Sequence, residues 1–194
     1  SENRNFTPAA DGIPAPMTAA VPQDNITRTT RINYDQSLTP TLLLQKLQEA
    51  LHTVGCTVKI LAKSEEAIEG ELIIAGTSVA DGPAARALRE VNIQLPSTAE
   101  ALIVKRLTVR GKPAIVLCGA DDRGLMYAIL DAAQRVGWNS NPASPFAVVR
   151  EISEQPSVRD RAIGTYVMNR AYWESRAYDE RYWLRYFDLL ASNR

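Results

Sequence analysis

The sequence has a single histidine, His52, and two cysteines, Cys56 and Cys118. That leaves no ligand set for a zinc site, and no Cys spacing of the metal-binding kind is present. No His-Glu-x-x-His occurs, so peptidase chemistry is not inferred. Charge of one sign is missing too. Lys plus Arg number 22 and Asp plus Glu number 22, giving a formal net charge of zero. A balanced chain has no overall pull toward nucleic acid or an anionic membrane, and neither partner is expected. No apolar run approaches the roughly 18 residues that span a bilayer. The first residues show no charged start followed by an apolar core, so no secretory signal is read there. No cofactor and no metal are expected.

What is present is the balance of a globular protein, with 45% apolar and 23% charged residues over 194 positions. Cys56 and Cys118 sit in apolar stretches and read as buried thiols acting as small hydrophobes. A disulfide stays open as the alternative if their strands are adjacent. His52, among Gln48, Glu49 and Thr53, reads as a solvated helix residue.

Residues 1–25, with prolines at 8, 14, 16 and 22, read as an extended arm. From Ile26 to Tyr34 the residues favour a strand. Thr39 and Pro40 then open a helix, with Leu43, Leu44, Leu47, Ala50, Leu51 and Val54 at three- and four-residue spacing and Gly55 as its stop. Cys56 to Ala62 alternates as a half-buried strand, and Glu71 to Gly76 is a more continuous apolar strand. A short helix is expected over Asp81 to Val91. Ala101 to Val109 and Lys112 to Cys118 flank Arg110-Gly111 and predict a hairpin. A second strong helix carries Leu125, Met126, Ile129, Leu130, Ala133 and Val136, with Asp121 or Asp122 as cap. This order predicts an α+β fold: a two-layer sheet with the two main helices on one face and a solvated or partner-facing side opposite.

Asn139 to Pro156 reads as a linker. Beyond it Arg161 to Met168 is β-prone, and Asp179 caps a helix bearing Tyr182, Trp183, Tyr186, Phe187, Leu189 and Leu190. One strand and one helix cannot bury their own apolar faces, so the second unit, 157–194, reads as incomplete. Its aromatic rings are expected to face a core supplied by further elements, or to form an exposed apolar patch.

The run Ala114-Ile-Val-Leu-Cys-Gly-Ala-Asp-Asp-Arg-Gly-Leu-Met-Tyr-Ala-Ile-Leu-Asp-Ala-Ala-Gln-Arg-Val-Gly137 resembles the closing strand and helix of an accessory domain. That domain, zincin-like but without peptidase function, precedes the catalytic barrel in family 20 β-N-acetylhexosaminidases and in α-glucuronidases. Glu71-Leu-Ile-Ile-Ala-Gly-Thr77 resembles its central strand, and Ser157 to Asn169 resembles the first barrel strand in placement and pattern. The resemblance implies an accessory domain over 26–138, a linker over 139–156, and the first β-α unit of an incomplete (β/α)8 barrel over 157–194. It implies a parent glycoside hydrolase, secreted or periplasmic, of which this chain holds no catalytic acids; alone the chain is expected to be inactive. Its implied partners are a glycan or oligosaccharide substrate and the remainder of the barrel.

The end of a barrel strand faces the active-site mouth, where aromatic rings and forked donors suit sugar faces and hydroxyls. The expected substrate-binding residues are therefore Arg161, Tyr166, Asn169, Arg170, Trp173 and Glu174, against the alternative that they pack the barrel rim. An arginine opens the first barrel strand and contacts sugar hydroxyls in family 20; Arg161 lies near that position, within Arg-Ala-Ile-Gly where the family has Arg-Gly. Two other readings stand beside this one. The first is a non-catalytic carbohydrate-binding or interaction module. The second is a nucleotide-binding α/β domain, disfavoured because Asp121 and Asp122 occupy the helix start where a phosphate would sit.

Overall fold

A computed structural model describes residues 29–34, 41–61, 70–79, 81–139, 141, 143–164 and 170–194. The expected N-terminal arm lies outside these residues. Within them the elements run β1 (Thr29–Tyr34), α1 (Thr41–Thr53), β2 (Thr57–Leu61), β3 (Glu71–Thr77), α2 (Pro83–Glu90), β4 (Leu102–Val109), β5 (Lys112–Gly119), α3 (Asp122–Gly137), β6 (Ile152–Glu154), α4 (Arg170–Ala177) and α5 (Glu180–Asn193).

The six strands form one mixed sheet in the order β2-β1-β3-β5-β4-β6. Strands β2, β1, β3 and β5 are parallel neighbours, and β4 pairs antiparallel with both β5 and β6. The expected hairpin joins β4 to β5. Its two-residue turn holds Arg110 at φ 53° and Gly111 at φ 76°, the paired left-handed geometry that matches strand twist.

Helix α1 ends as its sequence predicts. Gly55 takes φ 80°, its N–H donates to His52 O at 3.0 Å, and the Cys56 N–H reaches back to Leu51 O at 2.9 Å. This double closure satisfies two terminal carbonyls, and it turns the chain into β2.

The central strands alternate between two cores. Ile73 and Ala75 of β3, Leu102 and Val104 of β4, and Ile115 and Leu117 of β5 pack under α1 and α3. Their neighbours Leu72, Ile74, Ile103, Ala114, Val116 and Cys118 face the other way, onto Ala84, Ala87 and Leu88 of α2. Both main helices do lie on one face, as expected. The opposite face is not solvated, however, and the two-layer expectation is corrected to a sheet covered on both sides. The physical reason is visible in β3 and β5, whose near-continuous apolar runs are the signature of strands buried on both faces. The cysteines form no disulfide with each other and are buried on opposite faces of the sheet. Burial pushes the Cys118 thiol up to about 12, which leaves it an unreactive hydrophobe. His52 is exposed on α1, as its polar neighbours suggested.

Part of the stretch expected to act as a linker packs on this sheet unit. Phe146 is 2% exposed and Val149 5% exposed, both within the core beneath α1 and α3. Arg106 Nη2 donates to the carbonyls of Phe146 and Val149, fastening the loop to β4. The chain then adds β6 at the edge, Ile152 facing Val104 in register.

The second unit differs from its expectation in two places among the described residues. Arg161 to Gly164 takes no regular secondary structure, and 165–169 lies outside the described residues. An additional helix, α4, follows where the sequence suggested a strand end and loop. Asp179 caps α5 as predicted, its Oδ1 accepting from the N–H groups of Arg181 at 3.0 Å and Tyr182 at 3.2 Å.

Candidate functional site

Strand β5 ends at Gly119, and the chain enters α3 within three residues. A Cβ on Gly119 would stand 2.6 Å from the Gly124 carbonyl carbon and collide with the Leu125 nitrogen. A Cβ on Gly124 would collide with the Ala101 carbonyl. Both glycines are there for close backbone approach, which makes the Gly-Ala-Asp-Asp-Arg-Gly segment a packing device. Asp121 completes it. Its Oδ1 accepts from Gly124 N–H at 2.8 Å, and its Oδ2 accepts from Glu100 N–H at 3.0 Å. The positive end of α3 is thus occupied by a carboxylate of the chain itself, as the cap reading expected.

Glu100 is the residue this arrangement fixes. Its backbone sits at φ 64°, left-handed for a non-glycine residue, and the Asp121 carboxylate holds it there. Its carboxylate, 11% exposed, accepts from Arg123 Nη1 at 2.7 Å through one oxygen and from Arg161 Nη2 through the other. The adjacent Glu100 carboxylate raises the Arg161 guanidinium pKa above its ordinary value. Arg161 Nη1 also donates to Val158 O at 3.4 Å.

Glu100 and Arg161 line one wall of a cleft of about 530 Å³ that runs between β4, the start of α3 and the 155–162 stretch. Leu102, Pro156 and Val158 supply apolar surface, and Tyr127 and Glu154 bring polar groups. Glu154 pairs with Arg194 Nη1, whose other nitrogen reaches Asp131 Oδ1 at 3.2 Å. Among the described residues, no group of three or more His, Cys, Asp or Glu could hold a metal ion, and no helix is long and apolar enough to cross a membrane.

The expected substrate-binding residues fall in two places. Arg161 is on the cleft wall, bonded to Glu100. Arg170, Trp173 and Glu174 lie on α4 at positions whose three- and four-residue spacing gives one helix face. Tyr166 and Asn169 lie outside the described residues. Trp173 is half-buried, its ring edge-to-face with Tyr182 at 6.4 Å and 77°. Tyr182 stacks with Tyr186 at 6.1 Å and 7°, and Trp183 meets Tyr186 edge-on at 5.9 Å. Arg176 stands over the Tyr182 ring, 5.8 Å from its centroid. The Trp183 indole N–H donates to Ala177 O at 3.1 Å, satisfying a carbonyl at the end of α4 and setting the corner between the helices. Sequence reasoning passed over Glu100 altogether. Its importance comes from a positive φ and from partners 21, 23 and 61 residues away, and no local motif announces either.

No family model matches the chain, and no curated protein matches it. Among solved structures, a GH138 enzyme targeting pectin rhamnogalacturonan II superposes with a TM-score of 0.53 at 14% identity, over 85% of this chain and 23% of that one. CpGH84D superposes with a TM-score of 0.44 at 15% identity, over 64% of this chain and 19% of its own. The chain therefore spans under a quarter of either protein's length. What it shares with the GH138 enzyme is the fold of one segment.

Proposed function

We propose that this chain is the front part of a secreted or periplasmic glycoside hydrolase, an accessory domain of residues 26–138 leading through 139–156 into the start of a catalytic barrel. The observation that carries the reading is the shared fold with a 23% segment of a GH138 enzyme, extending over 85% of the chain. The exposed apolar face of α5 agrees with it. Leu184, Phe187 and Leu189 are 58%, 58% and 57% exposed, and a neighbouring barrel element would bury them. In this reading α5 is the first barrel helix and the catalytic acids lie on later strands. Arg170, Trp173 and Glu174, with Tyr166 and Asn169 before them, form part of the glycan-binding rim. A flat indole beside charged donors and acceptors suits a sugar ring and its hydroxyls.

The test is carbohydrate binding and hydrolysis by the full gene product, with rhamnogalacturonan II oligosaccharides among the glycans offered. Glycosidic cleavage, with Trp173→Ala weakening binding about tenfold at an unchanged melting temperature, is the expected result. Binding without cleavage would make the protein a carbohydrate-binding module instead. Neither binding nor cleavage across a broad glycan panel would overturn the reading.

A further inference from the structure

We infer that Glu100 and Arg161 form a latch that fixes the 157–164 segment to the sheet unit, making Arg161 a positioning residue. The inference concerns the described chain itself and stands whether or not α4 and α5 belong to a barrel.

Among the described residues, the segment after β6 is held mainly through Arg161, which also interacts with Tyr127. Residues 157–164 are exposed throughout, with Val158 at 56% and Ile163 at 63%, and they form no helix or strand. Burial therefore does not fix their path. Arg161 does so with two nitrogens. One closes a local turn on the Val158 carbonyl, and the other crosses 61 residues of sequence to Glu100. A planar guanidinium can serve both acceptors at once, whereas an ammonium is a single point charge on a flexible stem.

The strength of the latch lies on the glutamate side. An ion pair between two free surface chains does little, because both must be immobilised to make it. Here one partner is immobilised beforehand. Glu100 has its N–H bound by Asp121, its backbone held left-handed, and one carboxylate oxygen engaged by Arg123. Ala101 N–H closes the same loop onto Thr98 O at 3.1 Å. The second oxygen is thus presented at a fixed point of the sheet unit, in a pocket of low exposure, and Arg161 has only its own freedom to lose. Asp121 couples this anchor to the first turn of α3, so the helix cap and the latch share one carboxylate.

The experiment is hydrogen exchange of the backbone amides in the full chain, comparing Glu100→Gln, Arg161→Lys and the double variant with the parent. Each single change is expected to speed exchange in 158–164 about fivefold to tenfold while leaving β3 and β5 amides unchanged. The double variant is expected to match Arg161→Lys, since the charged Glu100 contact is already weakened there and the Val158 contact is lost with the guanidinium. Should Glu100→Gln fail to fold, Arg161→Lys alone carries the test, because Arg161 lies outside both cores. Unchanged exchange in 158–164, additive effects in the double variant, or loosening spread equally through the sheet would each overturn the latch.

Discussion

Helices α3 and α5 are close in length, 16 and 14 residues, and both are amphipathic with an aspartate cap, yet α3 buries eight residues and α5 buries none. The difference lies in what each helix has to pack against. Helix α3 lies on β3, β4 and β5, whose apolar side chains interdigitate with Leu125, Ala128, Ile129 and Val136. Helix α5 is held at its margins by Lys46 to Asp188 at 2.8 Å and by Arg194 to Asp131 and Glu154, while its apolar side chains stack among themselves. An amphipathic pattern thus specifies a helix and a face, and the energy of that face is realised only where a second apolar surface meets it.

The comparison breaks most visibly under truncation of one large side chain in each region. Leu117, 0% exposed at the centre of the sheet, is expected to cost about 2–5 kcal/mol on replacement by alanine. Phe187→Ala on α5, from a side that is 58% exposed, is expected to change stability by at most about 0.5 kcal/mol. Thermal melting of the two variants checks both. Similar losses in the two would mean that α5 is packed in solution, and the contrast drawn above would fail.

A smaller effect tests the strand-to-helix junction. Asp121→Ala removes the α3 cap and the acceptor for Glu100 N–H together, and is expected to cost about 1–2 kcal/mol in urea unfolding. Asp121→Asn keeps an acceptor oxygen for the cap, so it should recover roughly half of that loss. A cost no greater than an ordinary surface change would show that the Glu100 backbone keeps its left-handed conformation unaided.

Much of the sheet unit was legible in the sequence because its signals are local. The leucine spacing and the Gly55 stop framed α1, the Arg110-Gly111 turn framed the hairpin, and Asp121, one of two candidates, and Asp179 were readable as caps. Two features escaped for one common reason: they are set by pairing across the chain. The second buried face depends on α2 meeting Leu72, Ile74 and Val116, and the alanine-rich composition of its eight residues did not say where it would dock. Phe146 and Val149 look like loop residues until Arg106 binds the carbonyls beside them. A third, helix α4, follows a β-prone run and was not anticipated, because a short helix leaves almost no periodic trace. For the candidate site, the sequence supplied Arg161 and Trp173 as residue types suited to sugars, while the Glu100 partner depended on tertiary placement.

Where the sheet unit ends can be sharpened through Glu151, which lies in the stretch whose composition suggested a linker. Beyond Ile152 opposite Val104, the β4 edge pairs with no further strand among the described residues, and the Glu151 carboxylate takes over by accepting Arg106 N–H at 2.9 Å and Lys105 Nζ at 3.2 Å. The Arg106 hydrogen bond, and then Lys105, hold its pKa below the ordinary carboxylate value. A group depressed on folding contributes stability above its unfolded pKa, about 4.3, and that contribution is lost as pH falls through the lower folded value. The side chain is 43% exposed, so screening keeps the effect to about 0.5 kcal/mol. Glu151→Gln should therefore melt slightly below the parent at pH 7, and the gap should close on acidification to pH 3, where the parent's carboxyl approaches neutrality. A gap that is absent at pH 7, or that persists unchanged at pH 3, would detach Glu151 from β4.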